Sequence, residues 1–156
     1  MTYGFMELIF REIQLGDVEA LFSVRARTRE NPASITRLAA LGITPESTAK
    51  AIAGRRVRGW VCTAGGTVVG FCTGYSDTGE VMVLAVLPEY EARGIGRRLL
   101  MLVVEWLRSC NNHRIWLAAS PDPKVRAYGF YRSLGWHTTG ERLENGDEIL
   151  VLVQDA

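Results

Sequence analysis

The stretch EVMVLAVLPEYEARGIGRRLLMLVVEWL, residues 80–107, decides the fold. Six of its first seven residues are apolar, three of these are Val, and none is Gly or Pro, a pattern typical of a buried strand. Pro88 ends this strand, and Gly94-Ile95-Gly96 follows a short charged turn. Apolar residues from Ile95 to Trp106 then recur at helical spacing. The stretch therefore predicts a strand, a glycine turn and the start of a helix.

The glycine turn is a candidate phosphate-binding site. Backbone N–H groups in the first turn of a helix lack intrahelical partners, and the helix dipole adds roughly half a positive charge at the same end. Glycines let a ligand approach the backbone closely, and Arg93, Arg97 and Arg98 add positive charge. Neither a P-loop nor a dinucleotide fingerprint is indicated, because no Gly-Lys-Ser/Thr follows and the third glycine is missing. By itself a G-x-G indicates only a tight turn between strand and helix.

Length and charge narrow the function classes. The chain has 156 residues, 47% hydrophobic and 22% charged, which predicts one globular domain over residues 1–156. A formal net charge of +1 gives no reason to expect a nucleic-acid or membrane partner. The sequence contains no recognisable signal peptide and no apolar run of the length that crosses a bilayer.

Cysteine usage bears on the compartment. The three cysteines, Cys62, Cys72 and Cys110, cannot all pair within the chain, and their spacing is not that of metal ligands. Free cysteines of this kind are typical of reducing compartments. The sequence therefore predicts a cytoplasmic protein without a metal site.

Strand and helix signals alternate along the chain. Asp17 and Thr44 are candidate N-caps of two early helices, and Asp122-Pro123 predicts the start of the last helix. Residues 34–41 form either a short helix or an ordered loop. The predicted order is strand, helix, helix, three strands, helix, strand, helix and two strands, which is a mixed α/β sheet.

Two hairpins are predicted from pairs of turn residues. Gly65-Gly66 joins two β-rich runs, and a two-residue connection places residue 62 opposite residue 69. Asn145-Gly146 joins the last two strands in the same way.

Two segments, in this order, resemble the GNAT superfamily of acyl-CoA-dependent N-acetyltransferases. The first, Leu84-Ala85-Val86-x-Pro88-x-Tyr90-x-x-Arg93-Gly94-Ile95-Gly96-Arg97-x-Leu99-Leu100, is similar to the family's acyl-CoA motif. The second, Arg126-Ala127-x-x-Phe130-Tyr131-x-x-Leu134-Gly135-Trp136, is similar to a later family segment. The resemblance covers residues 6–153 and implies a single-domain α/β fold. In it a mixed, mostly antiparallel sheet is flanked by helices, and a β-bulge splays the fourth strand from the fifth.

The resemblance implies acetyl-CoA as co-substrate and suggests which residues hold it. The backbone of the fourth strand pairs with the pantetheine arm like an added strand, and the glycine loop holds the pyrophosphate. Lys124 occupies a position where relatives often carry an Asn that contacts the same arm. The implied cofactor-binding residues are Leu84, Ala85, Val86, Ala92, Arg93, Gly94, Ile95, Gly96, Arg97 and Lys124.

Two residues are candidates for acid and base catalysis. Tyr131 matches the family tyrosine that gives a proton to the departing CoA thiolate, although a packed helix aromatic is the alternative. Glu80 lies where histone-type relatives carry a catalytic glutamate, but it can equally solvate the strand end. Other branches carry the acid where this chain has Met82 or Ala119, and some members have no dedicated base.

Two positions depart from the family pattern. Glu91 replaces the usual Gln or Arg, and a carboxylate beside phosphates is unfavourable unless it faces solvent or pairs with Arg93 or Arg97. Lys124 replaces an amide with a cation that can reach phosphate. Neither change removes the backbone donors, so acetyl-CoA binding is still expected.

Acceptor choice in this fold lies in the first two helices and in loops at the far edge of the sheet. Glu30 and Asp77 are candidates for holding an amine cation, and Asn31 belongs to the same distinctive run as Glu30. Arginines within residues 25–29 can hold a carboxylate through paired hydrogen bonds. The predicted substrate-binding residues are Glu30, Asn31 and Asp77.

The sequence thus predicts an enzyme that moves an acetyl group from acetyl-CoA to the primary amine of a small molecule. The predicted route is direct attack in a ternary complex. A peptide or protein amine is one alternative acceptor, and a non-catalytic acyl-CoA-binding module is an alternative from a different class. The resemblance is also compatible with a homodimer.

Overall fold

The computed structural model describes residues 7–29 and 32–152. The described residues form seven strands and five α-helices in the predicted order, and residues 35–40 are a short helix. Two short 3₁₀ turns, Leu15–Asp17 and Pro88–Tyr90, lie before the first long helix and after the fourth strand. The elements are β1 (Leu8–Glu12), α1 (Val18–Ala26), α2 (Ile35–Ala40), α3 (Pro45–Ala53), β2 (Val57–Ala64), β3 (Thr67–Tyr75), β4 (Glu80–Val86), α4 (Ile95–Ser109), β5 (Ile115–Ala119), α5 (Arg126–Ser133), β6 (Trp136–Arg142) and β7 (Glu148–Leu152).

The strands form one sheet in the order β1-β2-β3-β4-β5-β7-β6. All neighbouring pairs are antiparallel except β4 and β5, which are parallel. Glu80 pairs with Trp116, and this is the single pairing between β4 and β5. Beyond it the two strands separate, which confirms the predicted splay. The separation leaves a gap in the sheet that opens toward the carboxyl end of β4.

A β-bulge lies at the base of this gap. Thr73 of β3 pairs with Val83, and the next residue, Gly74, pairs with Val81, so Met82 has no partner on β3. An extra residue in one strand bends that strand and increases its twist. The bulge therefore accounts for the departure of β4 from β5.

Helices cover both faces of the sheet at β3, whose residues 70–74 are all buried. On one face α4 packs so closely that a Cβ at Gly74 would lie 2.7 Å from Val103 Cγ1. On the other face α1 packs across β3 and β4, with Leu21 and Val24 in the main core. Because side chains alternate along a strand, the two faces carry different sets of residues.

Three local predictions meet different outcomes. Thr44 caps α3 as predicted, because its hydroxyl accepts from the Ser47 N–H at 3.0 Å. Asp17 does precede α1, but its carboxylate accepts from the Gln14 N–H at 2.7 Å and pairs with Arg11, so it does not cap the helix. The last long helix begins later than predicted, since residues 122–125 form a turn in which the Asp122 carboxylate accepts from the Lys124 N–H.

The predicted register of the first hairpin is wrong by one residue. Cys62 pairs with Gly70 rather than with Val69, while Thr63 pairs with Val68. Val69 is therefore the extra residue of a second bulge, which a two-residue turn does not reveal.

In the described part of the chain, no helix has the length and apolar character needed to cross a membrane.

Candidate active site

One edge of β4 borders the gap and offers unpaired backbone groups. The N–H of Leu87 donates to the Val69 carbonyl of β3 at 2.9 Å. Because hydrogen-bonding direction alternates along a strand, Ala85 also faces β3, whereas the N–H and C=O groups of Leu84 and Val86 face the gap. Of the three strand residues predicted to pair with the pantetheine arm, Leu84 and Val86 thus carry the available backbone groups.

The predicted pyrophosphate loop has the backbone conformation of an anion site. Ala92 and Gly94 adopt positive φ angles of 62° and 80°, and α4 begins directly after Gly94. Left-handed residues turn successive N–H groups toward one point. The N–H groups of Ile95, Gly96 and Arg97 lie in the first turn of a 15-residue helix, where no intrahelical acceptor exists.

Gly96 joins this loop to the two other walls of the gap. A Cβ at Gly96 would lie 3.6 Å from Phe130 Cζ of α5 and 3.8 Å from Val86 Cγ2 of β4. The absence of a larger side chain keeps the helix terminus open between α5 and the end of β4. The phosphate loop, the gap-facing edge of β4 and the second sequence motif therefore meet at one place.

The predicted cationic residues lie at the rim of the loop. Arg93 and Arg97 are exposed, and the Arg93 guanidinium stacks 5.0 Å from the centre of the Tyr90 ring. Lys124 is also exposed and lies in the turn that precedes α5. None of these three side chains forms an ion pair among the described residues. Their positive charges can therefore attract phosphates without the loss of an existing ion pair.

Glu91 pairs with neither arginine proposed for it from the sequence. Its Oε2 accepts from Arg126 Nη1 at 2.7 Å and from Arg29 Nε at 3.1 Å. The carboxylate thus links the phosphate loop to the start of α5 and to the segment that follows α1. Two cations neutralise the charge that made Glu91 unfavourable beside phosphates.

Tyr131 lies with its ring buried and its hydroxyl accessible. The residue is 9% exposed, and its ring packs edge-on against Phe130 and Trp136. The hydroxyl makes no hydrogen bond to a described residue, and no buried side-chain N or O atom in the described part of the chain lacks a partner. The oxygen therefore reaches solvent. Burial, with a smaller contribution from the Cys72 thiol, raises the pKa of the phenol and keeps it protonated.

Glu80 lies at the closed end of the gap, on the face that α1 covers. Its strand partner on β3 is Tyr75, and paired residues share a face of the sheet. Burial raises the pKa of the Glu80 carboxyl above its ordinary value. Glu80 is four residues from Leu84, a separation of about 13 Å along an extended strand. Any proton transfer between the open gap and Glu80 therefore needs intervening water.

Of the three predicted acceptor residues, only Asp77 lies in the described part of the chain. Asp77 lies in the exposed β3–β4 turn, where it accepts from the Tyr75 hydroxyl at 3.0 Å. This turn follows β3 at the opposite end of β4 from the phosphate loop. Glu30 and Asn31 lie outside the described residues. All three stay predictions.

The described part of the chain contains neither a cluster of metal ligands nor a disulfide. Among residues 7–29 and 32–152, no group of three His, Cys, Asp or Glu side chains is placed to hold a metal ion. All three cysteines are free, with Cys62 and Cys72 buried and Cys110 exposed. The cytoplasmic location stays a prediction.

Comparison with known proteins decides the family. The sequence profile of the acetyltransferase (GNAT) family matches residues 21–136, which include both motifs, the bulged strand and the phosphate loop. The chain belongs to the GNAT acetyltransferase family. The protein is accordingly an N-acetyltransferase, and acetyl-CoA is its acetyl donor.

Solved structures have the same fold over nearly the whole chain. The PaiA N-acetyltransferase of Thermoplasma acidophilum, crystallised with coenzyme A, matches with a TM-score of 0.78 and 18% identity over 96% of this chain and 100% of its own. YncA of Salmonella typhimurium, crystallised with acetyl-CoA, has a TM-score of 0.73 and 16% identity, over 96% and 95% of the two chains. The ribosomal-protein-S18-alanine N-acetyltransferase of Escherichia coli has a TM-score of 0.69 and 20% identity, over 96% and 97%. No curated protein matches the chain by sequence.

Sequence reasoning about this GNAT domain missed the partners of Glu91. Arg29 and Arg126 are 62 and 35 residues from Glu91 along the chain. The Arg126 partner lies in a quoted motif, yet no spacing rule links it to the phosphate loop. An unusual acid in a phosphate loop is itself a signal that cations must lie nearby.

Proposed function

We propose that the protein transfers the acetyl group of acetyl-CoA to the primary amine of a small molecule by direct attack in a ternary complex. The observation that carries the proposal is the meeting of three segments at the gap. A Cβ at Gly96 would lie within 4 Å of both Val86 and Phe130, and Tyr131, which follows Phe130, keeps an accessible hydroxyl. Acetyl-CoA supplies the activated acyl group, and the residues of the chain bind, orient and exchange protons.

The donor half of the reaction uses backbone groups. The N–H groups of residues 95–97 bind the pyrophosphate, with Arg93, Arg97 and Lys124 at the rim. Leu84 and Val86 pair with the pantetheine amides as a strand would. The Val86 N–H then lies where it can donate to the thioester oxygen as negative charge develops on it. These groups are held by the sheet and by α4, so they need little reorganisation.

The acceptor half uses the face of the sheet that α1 covers. An amine must be neutral to attack, and Glu80 accepts its proton through water. Burial of Glu80 raises its pKa toward the range in which a carboxylate is a useful base. The new bond forms between the amine nitrogen and the carbonyl carbon while the carbon–sulfur bond breaks.

Tyr131 completes the reaction on the opposite face. Its phenol gives its proton to the sulfur as the carbon–sulfur bond breaks, and the proton released by the amine balances this loss through solvent. A buried phenol is a weaker acid than a free one, but the same desolvation makes the thiolate a stronger base. The weaker acidity of the phenol and the stronger basicity of the thiolate offset each other, so proton transfer from Tyr131 to the sulfur stays feasible.

The test is acetyl-CoA-dependent thiol release over a panel of small primary amines and of peptides with free N-termini. We expect turnover of one or more small amines. Tyr131→Phe should lower kcat by roughly 100-fold while leaving the acetyl-CoA Kd within about twofold, since only the proton donor is lost. Tyr128→Phe, three residues earlier on the same helix, is the matched control and should retain activity.

Two results would count against this function. Turnover of peptides without turnover of any small amine would assign the acceptor to the peptide class. Equal activity of the Tyr131→Phe and Tyr128→Phe variants would remove Tyr131 as proton donor.

A further inference from the structure

Arg25 is a partly buried cation that has no partner among the described residues. Among the described residues four arginines are partly buried, and three of them pair with a carboxylate. Those pairs are Arg11 with Asp17, Arg58 with Glu12, and Arg132 with Glu148. Arg25 forms no ion pair, side-chain hydrogen bond or ring contact with any described residue. A desolvated charge without a partner is unfavourable, so this exception requires a reason.

The location of Arg25 is set by the packing of α1. Arg25 follows Leu21 and Phe22 by four and three residues, so it lies on the buried stripe of the helix. That stripe packs across β3 and β4, on the face that carries Glu80. A cation near a helix C-terminus is favourable wherever it points, so the helix dipole does not explain why this one is turned inward.

Arg29 shows which end of the gap α1 approaches. Its Nε donates to Glu91 at 3.1 Å, and Glu91 lies in the loop that follows β4. Arg25 lies in the last turn of α1, which ends at Ala26, and Arg29 follows the end of the helix by three residues. The C-terminal turn of α1 therefore lies at the open end of the gap, opposite the face of Tyr131.

Among residues 7–29 and 32–152 no carboxylate neutralises this guanidinium, which leaves it available to an anion from outside the chain. Burial lowers the pKa of Arg25, whereas the hydrogen-bonded carboxylates raise that of Arg11 and Arg58. The guanidinium nonetheless stays charged at all physiological pH values. Its planar fork fits a carboxylate through two parallel hydrogen bonds.

We infer that Arg25 binds a carboxylate of the acceptor, and that the acceptor is therefore a small amino acid-like molecule with both an amine and a carboxylate. This rests on the proposed transfer to small amines and names the class of amine. The carboxylate seats on the Arg25 guanidinium, and the amine lies between Glu80 and the gap. Arg25 then selects for substrate and does not take part in bond making or breaking.

The test compares each common L-amino acid with its carboxamide, which keeps the amine and removes the negative charge. Thiol release is measured at saturating acetyl-CoA for the wild type, Arg25→Gln, Arg25→Lys and Arg27→Gln. Arg27 is exposed on the same helix end, which makes it the matched control. We expect the wild type to prefer the acid of at least one pair by roughly 10- to 100-fold in kcat/KM, the range for charge-assisted hydrogen bonds.

The variants separate charge from geometry. Arg25→Gln should abolish the preference by lowering kcat/KM of the acid and leaving that of the carboxamide within about threefold. Arg25→Lys should keep part of the preference, because charge remains without the fork. Arg27→Gln should keep all of it. If Arg25→Gln fails to fold, Arg25→Lys and the wild-type preference still decide the outcome.

A binding measurement keeps this inference separable from the proposed function. The thermal midpoint of the CoA-loaded protein is measured with N-acetylglycine and with N-acetylglycinamide. Stabilisation by the acid alone, lost in Arg25→Gln, supports the carboxylate site even if no amine is turned over. Turnover of amines without an acid preference, or with a preference unchanged in Arg25→Gln, overturns the role of Arg25 and leaves the acetyl transfer intact. Failure of both measurements overturns both.

Discussion

The two faces of the sheet around the β4–β5 gap present different kinds of chemical group. The face covered by α4 and α5 presents backbone groups, glycines and a buried phenol. The face covered by α1 presents side-chain charges, with Glu80 half-buried and Arg25 without a partner in the part of the chain that the structure describes. A donor common to a whole family can be bound by backbone groups, because these do not change with sequence. An acceptor that differs between enzymes is recognised by side chains, which can change freely.

The difference also explains where the structure is rigid and where it is adjustable. Backbone donors at a helix terminus are fixed by the helix itself. Side chains such as Arg25 depend on what binds them. The chain links the two faces through Glu91, which holds Arg126 of α5 and Arg29 beyond α1.

Glu80→Gln should give the largest effect and should be confined to the acceptor face. Loss of the base should lower kcat/KM for the amine by roughly 100-fold and remove the acidic limb of its pH profile. The acetyl-CoA Kd should stay unchanged. The measurement is the pH dependence of thiol release, and a profile identical to that of the wild type would remove Glu80 as base.

The same variant should also change how the free energy of unfolding depends on pH. Because burial raises the folded-state pKa of Glu80, the folded protein holds this proton more tightly than the unfolded chain. The resulting stability is present below the unfolded pKa and is lost as pH rises through the folded pKa. Urea unfolding at pH 4 and pH 7.5 should therefore show Glu80→Gln gaining stability relative to wild type at the higher pH.

Gly96→Val should damage the donor face alone. A Cβ at Gly96 is tolerated at 3.6 Å from Phe130, but the branched methyls of Val enter the space between α5 and Val86. Overpacking of about 2 kcal/mol corresponds to an acetyl-CoA Kd roughly 30-fold higher. Calorimetry measures this, and Gly129→Val is the control, since a Cβ at Gly129 meets nothing within 4 Å. Equal losses in both variants would mean a general helix effect.

Glu91→Gln should give the smallest effect but should touch both faces. Removing the carboxylate charge makes the potential beside the phosphate loop more positive, so acetyl-CoA should bind about threefold tighter at low salt and less so at high salt. The segment after α1 loses an anchor, so the acceptor KM should rise by a similar factor. Glu89→Gln, an exposed acid in the same loop, is the control. A change in the acetyl-CoA Kd without a change in the acceptor KM, or the reverse, would show that Glu91 does not couple the two faces.

Much of the fold was predictable because its signals are local. The strand, glycine turn and helix of residues 80–107 follow from periodicity over a few turns of chain. The splay of β4 from β5 was predictable only through the family resemblance, and the bulge at Met82 supplies its cause. The bulge at Val69 was not predictable, because pairing in a hairpin depends on the partner strand and not on the turn alone.

The candidate site divides in the same way. The phosphate loop and Tyr131 lie within continuous motifs, so their residue types and spacing are visible in the chain. The partners of Glu91 are not visible, because the pairs form between segments that only the packing of α1 and α5 brings together. The helix prediction at Asp122 failed for a related reason, since the carboxylate closes a turn instead of capping the helix.

By itself the sequence determined the order of elements, the family and the donor-binding loop, because each depends on residues close together in the chain. Only the tertiary structure decided which charges are neutralised. Among the described residues Glu91 pairs with two cations and Arg25 pairs with no anion, although both are charged side chains near other arginines in the sequence. Ion pairing depends on distances across the fold, and burial sets how much an unpaired charge matters.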